Sequence, residues 1–384
     1  MKVVRLTPNN GHYFFGYYDL KAWDINDEYH LTHRVSFCDH IPSPDDIATI
    51  GMIRMKDLEF IELTQTRAWN FQQGAMLQWL PTAPNSKIIF NDRVDNRFVT
   101  VIFDVNTLKR QILPLPIAAL SNNGRTALSI NFSRMFTFRP GYGYAGIKDP
   151  YENQLHPKED GIFLMDLETG EYKIILSLYD IMRMKIKEDI LKSKILINHI
   201  TYNTDDSRFI FLSRYMIPAK KGWLTAAFTA NADGSDVKCI IDYGCVSHYY
   251  WVSPCEILVY TDINGQGRNL YLINDRTGKS EFVDKEVFKE DAHISTSPDR
   301  KWILADTYPD KEGFRTLRLY NIKEKKDIIL GKFFSPKAFT GDIRCDLHPR
   351  WNRKGTMVSF DSIHENKRGI YAIDVKEIIA NYEL

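Results

Sequence analysis

Apolar residues along this chain fall in short runs, rich in Val, Ile, Phe and Tyr, that alternate with polar positions and do not recur at helical spacing. Alternation puts successive side chains on opposite faces of a strand, so the pattern predicts β-structure rather than amphipathic helix. The runs are punctuated by turn signals, among them NNG at 122–124, LETGE at 167–171, ADGSD at 232–236, NDRTGK at 274–279 and SPDRK at 297–301. Gly, Asn and Asp tolerate the backbone angles that tight hairpins require, so the flanking runs are expected to pair as antiparallel strands.

The runs repeat. Four copies are plain: HITYNTDDSRFIFLS from His199, HYYWVSPCEILVYT from His248, HISTSPDRKWILAD from His293 and HPRWNRKGTMVSFD from His348. Each opens on a histidine and continues through a polar turn into an apolar strand; Tyr202, Trp251 and Trp351 stand three positions on, with Thr296 the exception. The four histidines stand 49, 45 and 55 residues apart, near the roughly 40 to 50 residue period of propeller blades. A second hairpin follows each inner pair, as in AAFTANADGSDVKCII, LYLINDRTGKSEFV and LRLYNIKEKKDIIL, which makes four strands per unit. The same alternation with weaker inner pairs fills the first half of the chain and brings the count to seven. The expected fold is all-β: one seven-bladed propeller domain over 1–384, with KVVRLT supplying the last strand of the seventh blade so that no sheet edge stays open. Two stretches depart from the repeat, a loop at 139–160 and a segment at 177–194 expected to be an inserted helix.

Composition narrows the function. The chain is 44% hydrophobic and 26% charged, the profile of a globular protein with a sizeable core. Lys plus Arg number 50 against 49 for Asp plus Glu, so no global field draws the chain to nucleic acid or anionic lipid. No apolar run reaches the length of a membrane span and the N-terminus lacks a leader pattern, so a cytoplasmic protein is expected. The five cysteines lack paired metal-ligand spacing and are expected to be reduced. There is no G-x-S-x-G elbow and no Walker sequence, while GYGYAG at 141–146 lacks the strand and helix that a dinucleotide fingerprint needs.

The candidate chemistry lies in the repeat itself. In a propeller the innermost strands line a central channel, so His199, His248, His293 and His348 are expected to face one channel mouth from four consecutive blades. A framework histidine bonded within its own blade is the bland alternative. That role predicts histidines in the first three units too, where Leu20, Met76 and Ile117 stand instead. Imidazole suits transition metals, and Asp291 and Asp346, each two residues before its histidine, either orient the rings or cap local turns. Tyr17, Tyr18, Arg34, Gln72 and Gln73 are candidate substrate contacts from the first two units, of a kind suited to carbohydrate. Arg34, Arg214 and Arg344 are natural partners for a carboxylate.

The units VSHYYW, DAHISTSPDRKWILADTYPD and DLHPRWNRKGTMVSFDS resemble the oligogalacturonate lyase group of seven-bladed propellers, best over 195–375. That resemblance implies β-elimination of 4-linked uronides with a divalent metal, typically manganese. It implies metal ligation by His248, His293 and His348, with His199 nearby and Arg214 as the base; Arg214, His199 and Arg344 are the candidate catalytic groups. It also implies a glutamine ligand, whereas Cys345, Asp346 and Arg350 stand beside His348 here. The expected partner is an acidic oligosaccharide. A glycoside hydrolase or other sugar-modifying propeller, and a non-catalytic glycan- or protein-binding scaffold, are the competing classes, because propellers host all of them.

Overall fold

The computed structural model describes residues 2–216 and 222–382. They form seven four-stranded antiparallel sheets, each a meander in sequence order except the last. In that blade the order is Val3–Arg5, Gly369–Asp374, Met357–Ser362 and Arg350–Trp351, and Val3 faces Ile373 across the seam while Arg5 faces Tyr371. The ring thus closes as the alternation of the first residues predicts. Among the described residues no helix is long and apolar enough to cross a membrane.

The pairing register puts the seven inner strands on a common footing. The residue that opens each inner turn pairs with the start of the second strand: Trp79 with Ile88, Leu120 with Ala127, Tyr202 with Phe209, Trp251 with Ile257, Thr296 with Ile303 and Trp351 with Val358. Trp23 bridges to His30 in the first blade. Three positions earlier stand Leu20, Met76, Ile117, His199, His248, His293 and His348, so the four histidines occupy one structural slot that is apolar in the other three blades.

Apolar side chains fill the spaces between blades, with Trp23, Trp69, Trp79 and Trp302 fully buried. Polar pins add direction. The Asp27 carboxylate accepts from Asn352 Nδ2 at 3.0 Å and from the amides of Arg353 and Lys354, tying the first blade to the seventh. Asp206 does the same for the amides of Asn122 and Asn123, tying the fourth blade to the third.

Two helices stand in 177–194 where one was expected. Leu178–Met184 starts on a capping box between Ser177 and Asp180, and a separate short helix runs over Glu188–Leu191. Another helix, Phe132–Phe138, lies just before the loop at 139–160. From it the buried Arg134 reaches Ile195 O, Asp149 and the carbonyls of Gln154 and Leu155, so the long loop is bonded down onto the fourth blade. His30 and His33, on the second strand of the first blade, are framework residues: His30 Nε2 meets Ser359 Oγ at 3.0 Å, and His33 accepts from the amide of Ala75.

Candidate functional site at one channel mouth

The inner strands bend where the histidines sit. Register shifts fall between Asn198 and Ile200, and between Val246 and Tyr249. His199 and His348 adopt φ of 49° and 41°, the left-handed region that costs a side-chain-bearing residue energy. A bulge of this kind turns a side chain out of the sheet face, here into the channel. Met76, in the same slot, has φ 54°, so the bend belongs to the fold and the imidazoles to this sequence.

All four rings converge. Ring centroids lie 4.1 Å apart for His248 and His293 and 4.2 Å for His293 and His348. Tyr17 touches every one of them, at 4.8 Å from His199, 6.5 Å from His248, 6.1 Å from His293 and 5.0 Å from His348. It is placed by Gly16, whose φ of +125° turns the chain and where a Cβ would fall 2.9 Å from the Gln73 backbone. Asp361 fastens this turn by accepting from the amides of Phe15 and Gly16 while pairing with Arg350. Tyr18 lies beside Tyr17 and donates to the Tyr249 carbonyl. The two tyrosines stand in the channel beneath the imidazoles.

Carboxylates hold three of the rings. Asp291 lies 2.9 Å from His248 Nδ1, Asp306 2.9 Å from His293 Nδ1, and Asp19 2.7 Å from His199 Nε2. Asp306 also accepts from the backbone amides of His293 and His348. A carboxylate on Nδ1 fixes the proton there and leaves the Nε2 lone pair free. His293 Nε2 and His348 Nε2 are buried and have no hydrogen-bond partner among the described residues. Burial pulls the His248 pKa down to about 4, and burial together with His293 pulls that of His348 well below the usual histidine range. Both rings are neutral at physiological pH.

Asp346 is the anionic centre. Arg344 Nε donates to it at 2.6 Å, and Arg315 Nη2 lies 2.8 Å from Oδ1, though off the direction of a hydrogen bond. Despite burial, which works the other way, these guanidiniums hold its carboxyl far below the usual carboxylate range. Donor atoms of His293, Asp346 and His348 all lie within 4.8 Å of one another. Two orphaned imidazole nitrogens and a carboxylate fit a divalent transition ion. His248, which the resemblance also implies as a ligand, stands alongside this compact set, its ring 4.1 Å from that of His293. Removing the carboxylate strands two guanidiniums, so Asp346→Ala is expected to lower unfolding stability by about 3–5 kcal/mol, measured by urea denaturation.

Above the rings, a small polar cavity is lined by Arg139, Tyr142, Asn198, Arg214, Ser247 and Tyr308 together with Tyr17, His199 and His248. Arg214 is half-buried and its Nε has no partner; burial and the nearby Arg139 pull its pKa down to about 10. Arg344 donates to Tyr142 Oη at 2.7 Å, and Arg139 lies over the same ring, 4.1 Å from its centroid. Arg139 and Tyr142 come from the 139–160 loop; with Tyr308, Asp306, Asp19 and Arg315 they are the site residues that the repeat alone does not reveal. Asp306 carried a faint signal, an acid closing the apolar strand WILA.

The remaining candidates are scattered. Gln72 donates from Nε2 to the Arg344 carbonyl at 3.0 Å and so sits behind the arginine, with its own Oε1 unpartnered. Gln73 lines the opposite part of the channel. Arg34 pairs with Glu62 at 2.7 Å across the first blade, lies over Phe60, and lines neither cavity.

No protein-family profile matches the sequence, and no curated protein matches it. Solved structures do. An oligogalacturonate lyase from Vibrio parahaemolyticus superposes with a TM-score of 0.69 at 17% identity, covering 98% of this chain and 94% of that one. An oligogalacturonate lyase in complex with manganese gives 0.69 at 15% identity over the same shares. A puromycin-hydrolysing peptidase from Mycobacterium tuberculosis reaches 0.57 at 12% identity, with 93% of this chain covering 52% of that one. Across nearly its whole length, this chain has the seven-bladed propeller fold of the oligogalacturonate lyases.

Proposed function

We propose that the protein cleaves an acidic, uronate-containing oligosaccharide by β-elimination at the histidine mouth. The observation that carries this is the convergence of four imidazoles on Tyr17 beside a small cavity lined by Arg139 and Arg214, with Arg344 bonded to Tyr142 of that lining. Elimination beside a carboxylate needs that carboxylate's growing charge neutralised and a base poised over the adjacent proton. Arg344 and Arg139 supply fixed positive charge, and Arg214, with its lowered pKa, is the base. A divalent ion held by His293, Asp346 and His348 would act as a Lewis acid on the carboxylate; manganese is the metal named with one structural neighbour. Asp306 and Asp291 orient their imidazoles through Nδ1. A cytoplasmic setting accords with five unbridged cysteines.

The test is incubation of the purified, metal-supplemented protein with a panel of 4-linked uronide oligomers, following the ultraviolet absorbance of the unsaturated product. Absorbance that grows with oligomer cleavage is expected. Shorter oligomers with saturated ends would make the enzyme a hydrolase, and binding without cleavage would make it a lectin-like propeller.

A further inference from the structure

The channel holds a second chamber. On the far side of Tyr17 and Tyr18 lies a cavity of about 440 Å³, formed where the inner strands run into their turns at the opposite mouth. Its size falls within the roughly 300–1,000 Å³ common for small-ligand sites. Several lining residues carry buried donors without a hydrogen-bond partner among the described residues, Gln78 Nε2, Trp251 Nε1, Trp351 Nε1, Ser295 Oγ and Arg350 Nε among them. Buried polar groups are nearly always satisfied in a folded protein, so such a concentration in one chamber marks a place for something that accepts hydrogen bonds.

The charge is mainly of one sign: Asp19 is the one acid of the lining among the described residues, and Arg350, also in the lining, is paired with Asp361. Lys21, Arg300 and Arg353 line this chamber from the first, sixth and seventh blades. Arg300 makes no ion pair among the described residues and is exposed. Among the described residues Lys21 Nζ has one hydrogen-bond partner, Asn122 Oδ1 at 3.4 Å, and burial with the neighbouring Arg353 pulls its pKa down to about 8 against the opposing pull of Asp206. The nearest acid of the lining, Asp19, is engaged by His199. Indole rings supply apolar faces with a donor at the edge, the combination that receives a ring bearing hydroxyls.

We propose that this far chamber is a second binding site, separate from the histidine mouth, for an anionic sugar of one or two rings whose carboxylate or phosphate sits among Lys21, Arg300 and Arg353. The proposal stands whatever the histidine mouth does. Trp23, Trp251 and Trp351 line the far chamber and no tryptophan lines the cavity above the histidines, so indole fluorescence reports on it selectively.

The full chain is titrated with glucuronate, with glucose 6-phosphate and with glucose while tryptophan emission is followed. An anionic sugar is expected to bind at least about tenfold more tightly than glucose, and the better of the two anions names the group received. The K21M/R300Q double variant is expected to weaken that binding at least about tenfold, and Arg214→Met, in the other cavity, to leave it unchanged. Trp351→Phe is expected to diminish the signal. Equal response to glucose, no response at millimolar probe, an unaltered K21M/R300Q, or loss of the response in Arg214→Met would each overturn the proposal.

Discussion

Arg214→Met is expected to lower turnover of a 4-linked uronide by about 10³, within the range that loss of a positioned acid–base group produces, while the affinity for substrate changes much less. The reason is its surroundings. An arginine is a poor base because its guanidinium holds its proton, yet here burial and Arg139 bring the pKa down to about 10. At neutral pH about one molecule in a thousand then carries the neutral form, enough to sustain catalysis and to leave a signature. Rate rises with pH, about tenfold per unit, until it levels near pH 10, because the active form is the deprotonated one. A rate that is flat from pH 6 to 9, or an Arg214→Met variant of near-normal turnover, would give the proton to another group. Arg139→Gln offers an internal check: with one positive neighbour gone, the plateau moves to higher pH.

The second large effect concerns acid. Burial pulls His30 down to about 3 and both His33 and His248 to about 4. In the unfolded chain each takes its proton near pH 6.5, so between pH 6.5 and 4 the unfolded state binds protons that the native state refuses, and stability falls as pH falls. Asp160, which burial raises to about 6, works in the opposite direction because its native form takes up a proton early. Three histidines outweigh one carboxylate. Each withholds about 3 kcal/mol by pH 4 and the acid returns about 2, a net loss of about 7 kcal/mol. Urea unfolding at a series of pH values from 7 to 4 measures the slope directly, and stability that holds level down to pH 5 would contradict the assignment.

How much of this was legible beforehand depends on the range of the interaction. Strand pairing is local and periodic, so turn residues and alternation were enough to place seven blades and the seam. The slot shared by His199, His248, His293 and His348 was legible for the same reason, since a repeat converts sequence register into spatial register. Asp346 could be named only as one of two things, a ring partner or a turn cap; its role as the partner of Arg315 and Arg344 depends on the sixth and seventh blades lying side by side. Asp19 meets His199 across 180 residues and Tyr142 meets Arg344 across 202, pairings that no periodicity encodes. Arg34 shows the opposite failure. Its place beside His33 suggested the mouth, but alternation along the strand Tyr29–Val35 sends its side chain across the blade to Glu62.

The seam also sets the order of events during synthesis. Val3 leaves the ribosome before its partner Ile373, which follows 373 − 3 = 370 residues later. At about 5–20 residues per second that interval is roughly 20–75 s, during which six blades can form as local hairpins while the outer strand of the seventh waits for its partner. Such a long-range pairing pays its loop-closure entropy last. Closure of the ring around the channel, the histidines and the far chamber is therefore expected late, and a nascent chain halted before residue 369 lacks the strand that closes it.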